Sequence, residues 1–275
     1  MPEGPEILYW QVLLEKKLAL KYIFDTINSY TDKPIMEPKD WEGRILGTGC
    51  KGKILWIMVS STNKEKKYYM HIHFGITGWL QFEKPESNVK FEFILKNIKT
   101  NAKINLYMED KRRFSKITIC DEKQHLKIIA KLGIDIFEKD FTLNNFKTIV
   151  NSKNTMVSSL LLKQEIFCGI GNYIKNEVMY MTKLKAKVKT NELNDDQISE
   201  LYLNILFVSY SNLVEMLKNT KILKYLDKFK SIYMPKKLEV PYEYKIYGRE
   251  TTKDGKKVFK IKVGGRDSYC IHELC

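Results

Sequence analysis

Apolar residues in the first eighteen positions recur at helical spacing, with Ile7, Leu8, Val12 and Leu18 on one face. This predicts an amphipathic helix from Gly4 to Leu18. Pro5 suits its first turn, and Glu3 and Glu6 complement the helix dipole there. The period then shortens. The runs 21–30, 53–59, 67–74, 90–96, 103–108 and 115–120 are rich in Ile, Val, Tyr and Phe. Lys90-Phe91-Glu92-Phe93-Ile94 and Lys103-Ile104-Asn105-Leu106-Tyr107 alternate polar and apolar residues, and Gly, Asn, Asp or Lys clusters separate the runs. Such strands following one helix predict an antiparallel sandwich or barrel.

After about residue 123 the pattern turns helical, with candidate helices at 123–131, 141–150, 154–163, 172–183, 195–217 and 221–229. Asn194 or Asp195 is placed to cap the long one. The tail changes again. The run Val258 to Val263, then Gly264-Gly265-Arg266-Asp267, then Ser268 to Ile271 reads as a β-hairpin with Arg266 at a Gly-rich tip. The expected layout is α+β in two domains. A β-rich N-terminal domain spans 1–122 and a helical domain spans 123–240, with the terminal hairpin at 241–275.

The chain has 275 residues, enough for one large domain or two ordinary ones. No run of about 18 apolar residues is free of charge, so a membrane span is not expected. The start lacks the basic and apolar regions of a secretory signal. Five cysteines, an odd number, do not make a secreted disulfide framework, so a reducing interior is expected. The net charge of +14 favours an anionic partner, nucleic acid before an acidic membrane surface. Lysine dominates that charge, while the arginines are only Arg44, Arg112, Arg113, Arg249 and Arg266. An AT-rich genome produces such a bias, which makes each retained arginine more informative.

Removal of the initiator Met before a small second residue leaves Pro2 with a free secondary amine. An α-amino group has a pKa of about 8, so part of it is neutral and nucleophilic near pH 7. Glu3 stands beside it as a candidate proton carrier. On these two residues alone, an ordinary chain start is the better reading.

Five segments together change that balance. Met1-Pro2-Glu3-Gly4-Pro5-Glu6, Gly52-Lys53-Ile54-Leu55, His73-Phe74-Gly75-Ile76-Thr77-Gly78, Asp110-Lys111-Arg112-Arg113-Phe114 and Gly169-Ile170-Gly171-Asn172-Tyr173-Ile174-Lys175-Asn176-Glu177 occur in that order. They resemble, in register, the motifs of the formamidopyrimidine-DNA glycosylase / endonuclease VIII family. The resemblance implies a β-sandwich flanked by helices, a helix–two-turn–helix domain and a C-terminal finger hairpin. It implies an enzyme that excises oxidised bases from damaged duplex DNA and cuts the backbone by β,δ-elimination. It implies no cofactor and a monomer working wherever the genome is kept, with single strands left open as a further substrate.

The resemblance also assigns roles. Pro2 matches the nucleophile and Glu3 the proton-handling carboxylate, while Glu6 is either catalytic or structural. Lys53 matches a phosphate-contacting lysine, with Lys51 as the register alternative. Gly171 and Asn172 match a turn that presents backbone N–H groups and a side chain to phosphate; Asn172 as a plain N-cap is the alternative, and both can hold, since the cap position aims the turn at DNA. Ile76, Arg112 and Phe114 match the residues that fill the void left by an extruded base, with Arg112 favoured over Arg113 for the orphan base. Ile76 stands where the family usually has Met. Arg266 matches the finger arginine that grips phosphates.

Family members commonly hold zinc in the finger through four cysteines. Only Cys270 and Cys275, with His272 between them, occur here, and Tyr244 to Val263 contains no Cys or His. A zincless finger held by packing alone is therefore expected, with no metal. By analogy with the endonuclease VIII-like branch, oxidised pyrimidines and further-oxidised guanine products are the preferred lesions. The segment 218–242 holds Lys224, Tyr225, Lys228, Phe229 and Tyr233 and corresponds to a lesion-reading loop. Two other classes compete: a lesion-binding protein without chemistry, and a basic RNA-binding or ribosome-associated protein. The first has no need of Pro2 with Glu3, and the second no need of the β-rich half with its wedge residues.

Overall fold

A computed structural model of the chain describes residues 2–32, 35–62, 66–218 and 238–275. The expected helix at 221–229 and the aromatic and basic residues of the expected lesion loop lie outside them. The chain divides into two compact units, Pro2 with Glu6–Lys131 and Glu3–Pro5 with Leu132–Cys275.

Helix α1 (Gly4–Leu18) contributes Ile7, Trp10, Leu14 and Leu18 to the core of the first unit. Eight strands follow: β1 (Tyr22–Ser29), β2 (Trp41–Lys51), β3 (Ile54–Ser61), β4 (Lys67–His73), β5 (Trp79–Gln81), β6 (Val89–Asn97), β7 (Lys103–Glu109) and β8 (Lys116–Asp121). They are ordered β5-β7-β6-β1-β2-β3-β4-β8, antiparallel throughout. β1 and β2 share a single Cα pairing, Ile23 with Arg44. On either side of that junction Phe24, Phe93 and Leu106, and Ile45, Leu55 and Ile72, enter one common core. The two halves therefore face each other as a sandwich.

β2 and β5 were not among the expected strands. β2 carries Gly43, Gly47 and Gly49, which weaken any strand signal. The glycines are needed where they stand: a Cβ on Gly47 would lie 2.8 Å from Met58, and one on Gly49 2.5 Å from Trp56. Large side chains of β3 lie over β2 at these positions. Helix α2 (Glu122–Ile129) is capped by Asp121, which accepts from the Gln124 N–H at 2.8 Å. It packs on β4 and β8, and the first unit accordingly runs past the expected division at 122. Between them the rings of His71 and His125, both buried, share a hydrogen bond of 2.8 Å.

In the second unit a two-residue parallel pair, β9 (Ile134–Asp135) with β10 (Phe167–Cys168), precedes the signature turn. Helices α3 (Leu143–Asn151), α4 (Val157–Leu162), α5 (Asn172–Met181) and α6 (Asp195–Leu217) match the helical expectations, α6 at both ends and the others to within three residues. Asn194 caps α6 in a reciprocal box with Gln197. Phe141, Phe146, Phe167 and Tyr202 form an aromatic cluster in its core.

The hairpin pairs β11 (Val258–Val263) with β12 (Arg266–Ile271). Its turn is Gly264-Gly265, with φ of 56° and 76°. Positive φ at both central residues is the tight hairpin turn that glycine permits. Arg266 is therefore not at the tip as expected. It opens β12, opposite Val263. A second correction concerns the finger's support: Cys270 and Cys275 are joined by a disulfide, so packing is not its only restraint.

Candidate active site

In the second unit, Glu3 is only 1% exposed, and its carboxylate sits at the N-terminus of α5. Oε2 accepts from the Gly171 N–H at 2.8 Å and the Ile174 N–H at 3.2 Å, and Oε1 from the Tyr173 N–H at 2.8 Å. The first turn of a helix leaves such donors without intrahelical partners. The N-cap residue is Gly171, not Asn172, and it supplies no side-chain cap. A carboxylate from the other end of the sequence does that work. Only glycine permits it, since a Cβ on Gly171 would lie 2.1 Å from the Glu3 carboxyl carbon. The Gly4 N–H adds a 2.8 Å bond to the Gly169 carbonyl. Asn172, the first residue of α5, is thus free of capping duty, and its Oδ1 has no donor among the described residues.

Three consecutive residues of α5 hold the finger and the chain leading to it. Lys175 is fully buried and donates to the Asp267 carbonyl at 3.0 Å and Ser268 Oγ at 2.8 Å. Asn176 accepts from the Tyr269 N–H at 2.9 Å. Glu177, also fully buried, accepts from the Tyr242 hydroxyl and from the N–H groups of Lys245, Ile246 and Tyr247, at 2.7 to 3.0 Å. Burial pulls the Lys175 ammonium down to about 8, against the nearby charges of Glu3 and Asp267. Sequence reasoning quoted these residues within a motif and gave them no task. A signal was available: a Lys and a Glu on a helix whose other faces are apolar demand buried partners. Arg266 is exposed beside this clamp, its side chain with no hydrogen bond or ion pair among the described residues, while its neighbour Asp267 pairs with Lys260 and Lys262.

In the first unit, Pro2 is buried. Lys53, half-buried, lies in the two-residue turn between β2 and β3, directly before the apolar strand. Lys51 ends β2, paired with Ile54. The two expected wedge segments are locked together. Gly75, with φ of 64°, has so little room that a Cβ would lie 2.7 Å from the Phe114 carbonyl carbon. Thr77 donates to Asp110 at 2.5 Å and accepts from the Arg112 N–H at 3.0 Å. Asp110, fully buried, also accepts from the Ser115 N–H at 2.6 Å. Burial alone would raise its carboxyl; the bonds from Thr77, Ser115 and Arg112 outweigh that and hold it below the usual range.

Ile76 is half-buried on the first of these loops, and Phe114, 57% exposed, projects from the second. The arginines differ sharply. Arg113 adopts φ of 57° and donates its guanidinium to the Tyr30 carbonyl. Arg112 lies over the Phe114 ring, 5.0 Å from its centre. The exposed ring thus lies under the Arg112 guanidinium, on a loop that Arg113 ties to Tyr30.

The finger does not fit a structural zinc. Its two cysteines are bonded to each other, and β11 offers no Cys or His. Among the described residues no group of three or more His, Cys, Asp or Glu could hold a metal ion. No helix among the described residues is long and apolar enough to cross a membrane.

Two family models match the chain: the formamidopyrimidine-DNA glycosylase N-terminal domain over residues 1–117, and the formamidopyrimidine-DNA glycosylase H2TH domain over residues 132–220. The sandwich, the helical unit and these matches define a DNA glycosylase of DNA repair. The chain belongs to the formamidopyrimidine-DNA glycosylase family. It is 26% identical to a formamidopyrimidine-DNA glycosylase of Arabidopsis thaliana, covering 100% of this chain and 70% of that protein. It is also 26% identical to that of Pelotomaculum thermopropionicum, covering 98% and 97%. The structure superposes on the Lactococcus lactis enzyme in complex with DNA containing an oxidised pyrimidine, with a TM-score of 0.75, 20% identity and 98% of each chain covered.

Proposed function

We propose that this enzyme excises oxidised bases, with pyrimidines and further-oxidised guanine products preferred, and then cleaves the strand as a lyase. Once Met1 is removed, the Pro2 nitrogen attacks C1′ of the damaged nucleotide. The N-glycosidic bond breaks, and the base leaves with a proton delivered to it. Ring opening gives an iminium between Pro2 and C1′, which acidifies the C2′ protons. Loss of one of these expels the 3′ phosphate, a second elimination expels the 5′ phosphate, and water releases Pro2. Amine and carboxylate supply this chemistry without a cofactor. Lys53, Asn172, Gly171 and Arg266 bind phosphates around the extruded nucleotide. Ile76 and Phe114 fill the gap it leaves, and Arg112 meets the orphan base. The enzyme acts as a monomer wherever the genome is kept.

One observation carries this reading most. The carboxylate adjacent in sequence to Pro2 is tied by three N–H bonds to a turn 168 residues away, which joins the two most specific motifs in one place. The wedge also supports it, since an exposed aromatic ring under a guanidinium suits a vacated base stack. The test is borohydride trapping on duplexes carrying an oxidised pyrimidine, an oxidised purine or an abasic site. A covalent complex that disappears in Pro2→Gly, with DNA binding retained, is the expected result. Absence of trapping on all three duplexes would leave lesion binding without chemistry as the better reading.

A further inference from the structure

Lys90 is out of place for a lysine. The alternation of β6 assigns it to a polar face, yet it is only 7% exposed. Its ammonium donates to the Arg113 carbonyl at 2.5 Å and to the Ser115 carbonyl. These two groups bracket Phe114. Among the described residues no carboxylate lies within ion-pair distance of Lys90. A buried ammonium held by two carbonyls and the face of the Phe91 ring, 5.5 Å away, with no ion-pair partner, is costly, and an apolar residue would fill the space at less cost. Burial lowers its pKa, with the Asp110 charge opposing that and Arg113 adding to it. The main-chain carbonyl of Lys90 meanwhile accepts from Tyr30, whose own carbonyl receives the Arg113 guanidinium. Lys90 thus reaches the wedge loop from two directions.

We propose that Lys90 is a positioning residue: by binding the carbonyls on either side of Phe114 it fixes the outward pose of Phe114 and Arg112, and with it the grip on the DNA strand opposite the lesion. The inference rests on the reading of Phe114 and Arg112 as void fillers. With the two carbonyls drawn inward, the left-handed backbone at Arg113 turns the next side chain out to solvent. Without the ammonium those carbonyls must find other donors, and the loop gains poses in which Phe114 no longer faces DNA.

The experiment compares affinities for a duplex containing a tetrahydrofuran abasic analogue and for the same duplex undamaged, in wild type, Lys90→Met, Phe114→Ala and the double variant. Undamaged duplex has no vacated stack to fill, so wedge defects leave it unchanged, whereas a general folding defect weakens both. In Lys90→Met the ratio of the two affinities is expected to fall about tenfold, on the order of one lost hydrogen-bonded contact. Binding of undamaged duplex should hold, and the double variant should fall no further than Phe114→Ala. Lys90→Gln, which retains an N–H donor, should fall between wild type and Lys90→Met, and serves in its place if Lys90→Met does not fold. Equal weakening on both duplexes overturns the proposal. So does an unchanged ratio in Lys90→Met when Phe114→Ala lowers it. If Phe114→Ala itself leaves the ratio intact, the void-filling reading fails and this inference with it.

Discussion

Replacing Glu3 with Gln changes almost no volume, so its effect isolates the carboxylate at the start of α5. The native group has two acceptor oxygens and receives three N–H bonds, two on Oε2 and one on Oε1. Glutamine offers one oxygen and one NH2. With its oxygen placed at Oε2 the amide keeps the Gly171 and Ile174 bonds but turns a donor toward the Tyr173 N–H; the flipped amide loses two bonds instead. One hydrogen bond to a charged group contributes about 1.5–3 kcal/mol, and a buried donor left unpaired costs about 1–3 kcal/mol more. Loss of the negative charge at a helix N-terminus adds roughly 0.3–1 kcal/mol. Glu3→Gln should therefore destabilise the protein by about 3–7 kcal/mol, read as a lowered urea midpoint. Gly171→Ala, which displaces the same carboxylate by steric overlap, should lower it at least as far. A Glu3→Gln midpoint within about 0.5 kcal/mol of wild type would show that the carboxylate does not cap α5.

Arg266→Ala should weaken lesion-duplex binding and reduce the slope of log affinity against log salt by about one phosphate contact, measured by titration at several salt concentrations. Arg112→Ala should reduce discrimination among bases opposite the lesion while leaving the loop in place. Arg113→Ala, which frees the loop from Tyr30, should lower affinity for every opposite base alike; steady-state rates on the four duplexes separate the two. The His71 imidazole is held down at about 4 by burial, with further repulsion from His125 and His73. The unfolded chain takes up this proton first as pH falls below about 6.5. Stability from this group is complete above that pH and is lost as pH falls toward 4, by about 3 kcal/mol in total. Urea unfolding between pH 7 and 4 should show the slope, and His71→Phe should flatten it.

Much of this was written in local pattern. The alternation around Phe91 and Phe93 and the spacing in α1 and α6 predicted their elements because one face of each meets a core. β2 was silent because its glycines answer to Met58 and Trp56 on another strand, a tertiary demand that leaves no local period. The turn residues of the hairpin were legible, but its register was not: placing the turn at Gly264-Gly265 moved Arg266 from tip to strand. Recognition of five motifs named the candidate residues one by one. Their supports, Glu177, Lys175, Asp110 and Lys90, are ordinary charges in sequence and become distinctive only when burial is known. The partner of Glu3 was beyond reach for the same reason, since no spacing rule connects residue 3 to residue 171.

Helix α5 draws its bonding partners from three remote stretches of chain: residue 3, residues 242–247 and residues 267–269. This sets an order of events on the ribosome. The strands of the first unit are complete once residue 121 has emerged, and neighbouring strands there mostly follow one another in sequence. α5 is synthesised about ninety residues before the carbonyl that receives Lys175 exists. Its Glu177 waits for residues 242–247 and its Lys175 for residues 267 and 268, while the turn preceding it depends on residue 3. The nascent enzyme thus carries an early unit whose strands pair among themselves and a second unit whose helix α5 is fully bonded only once residues 267–269 have been made.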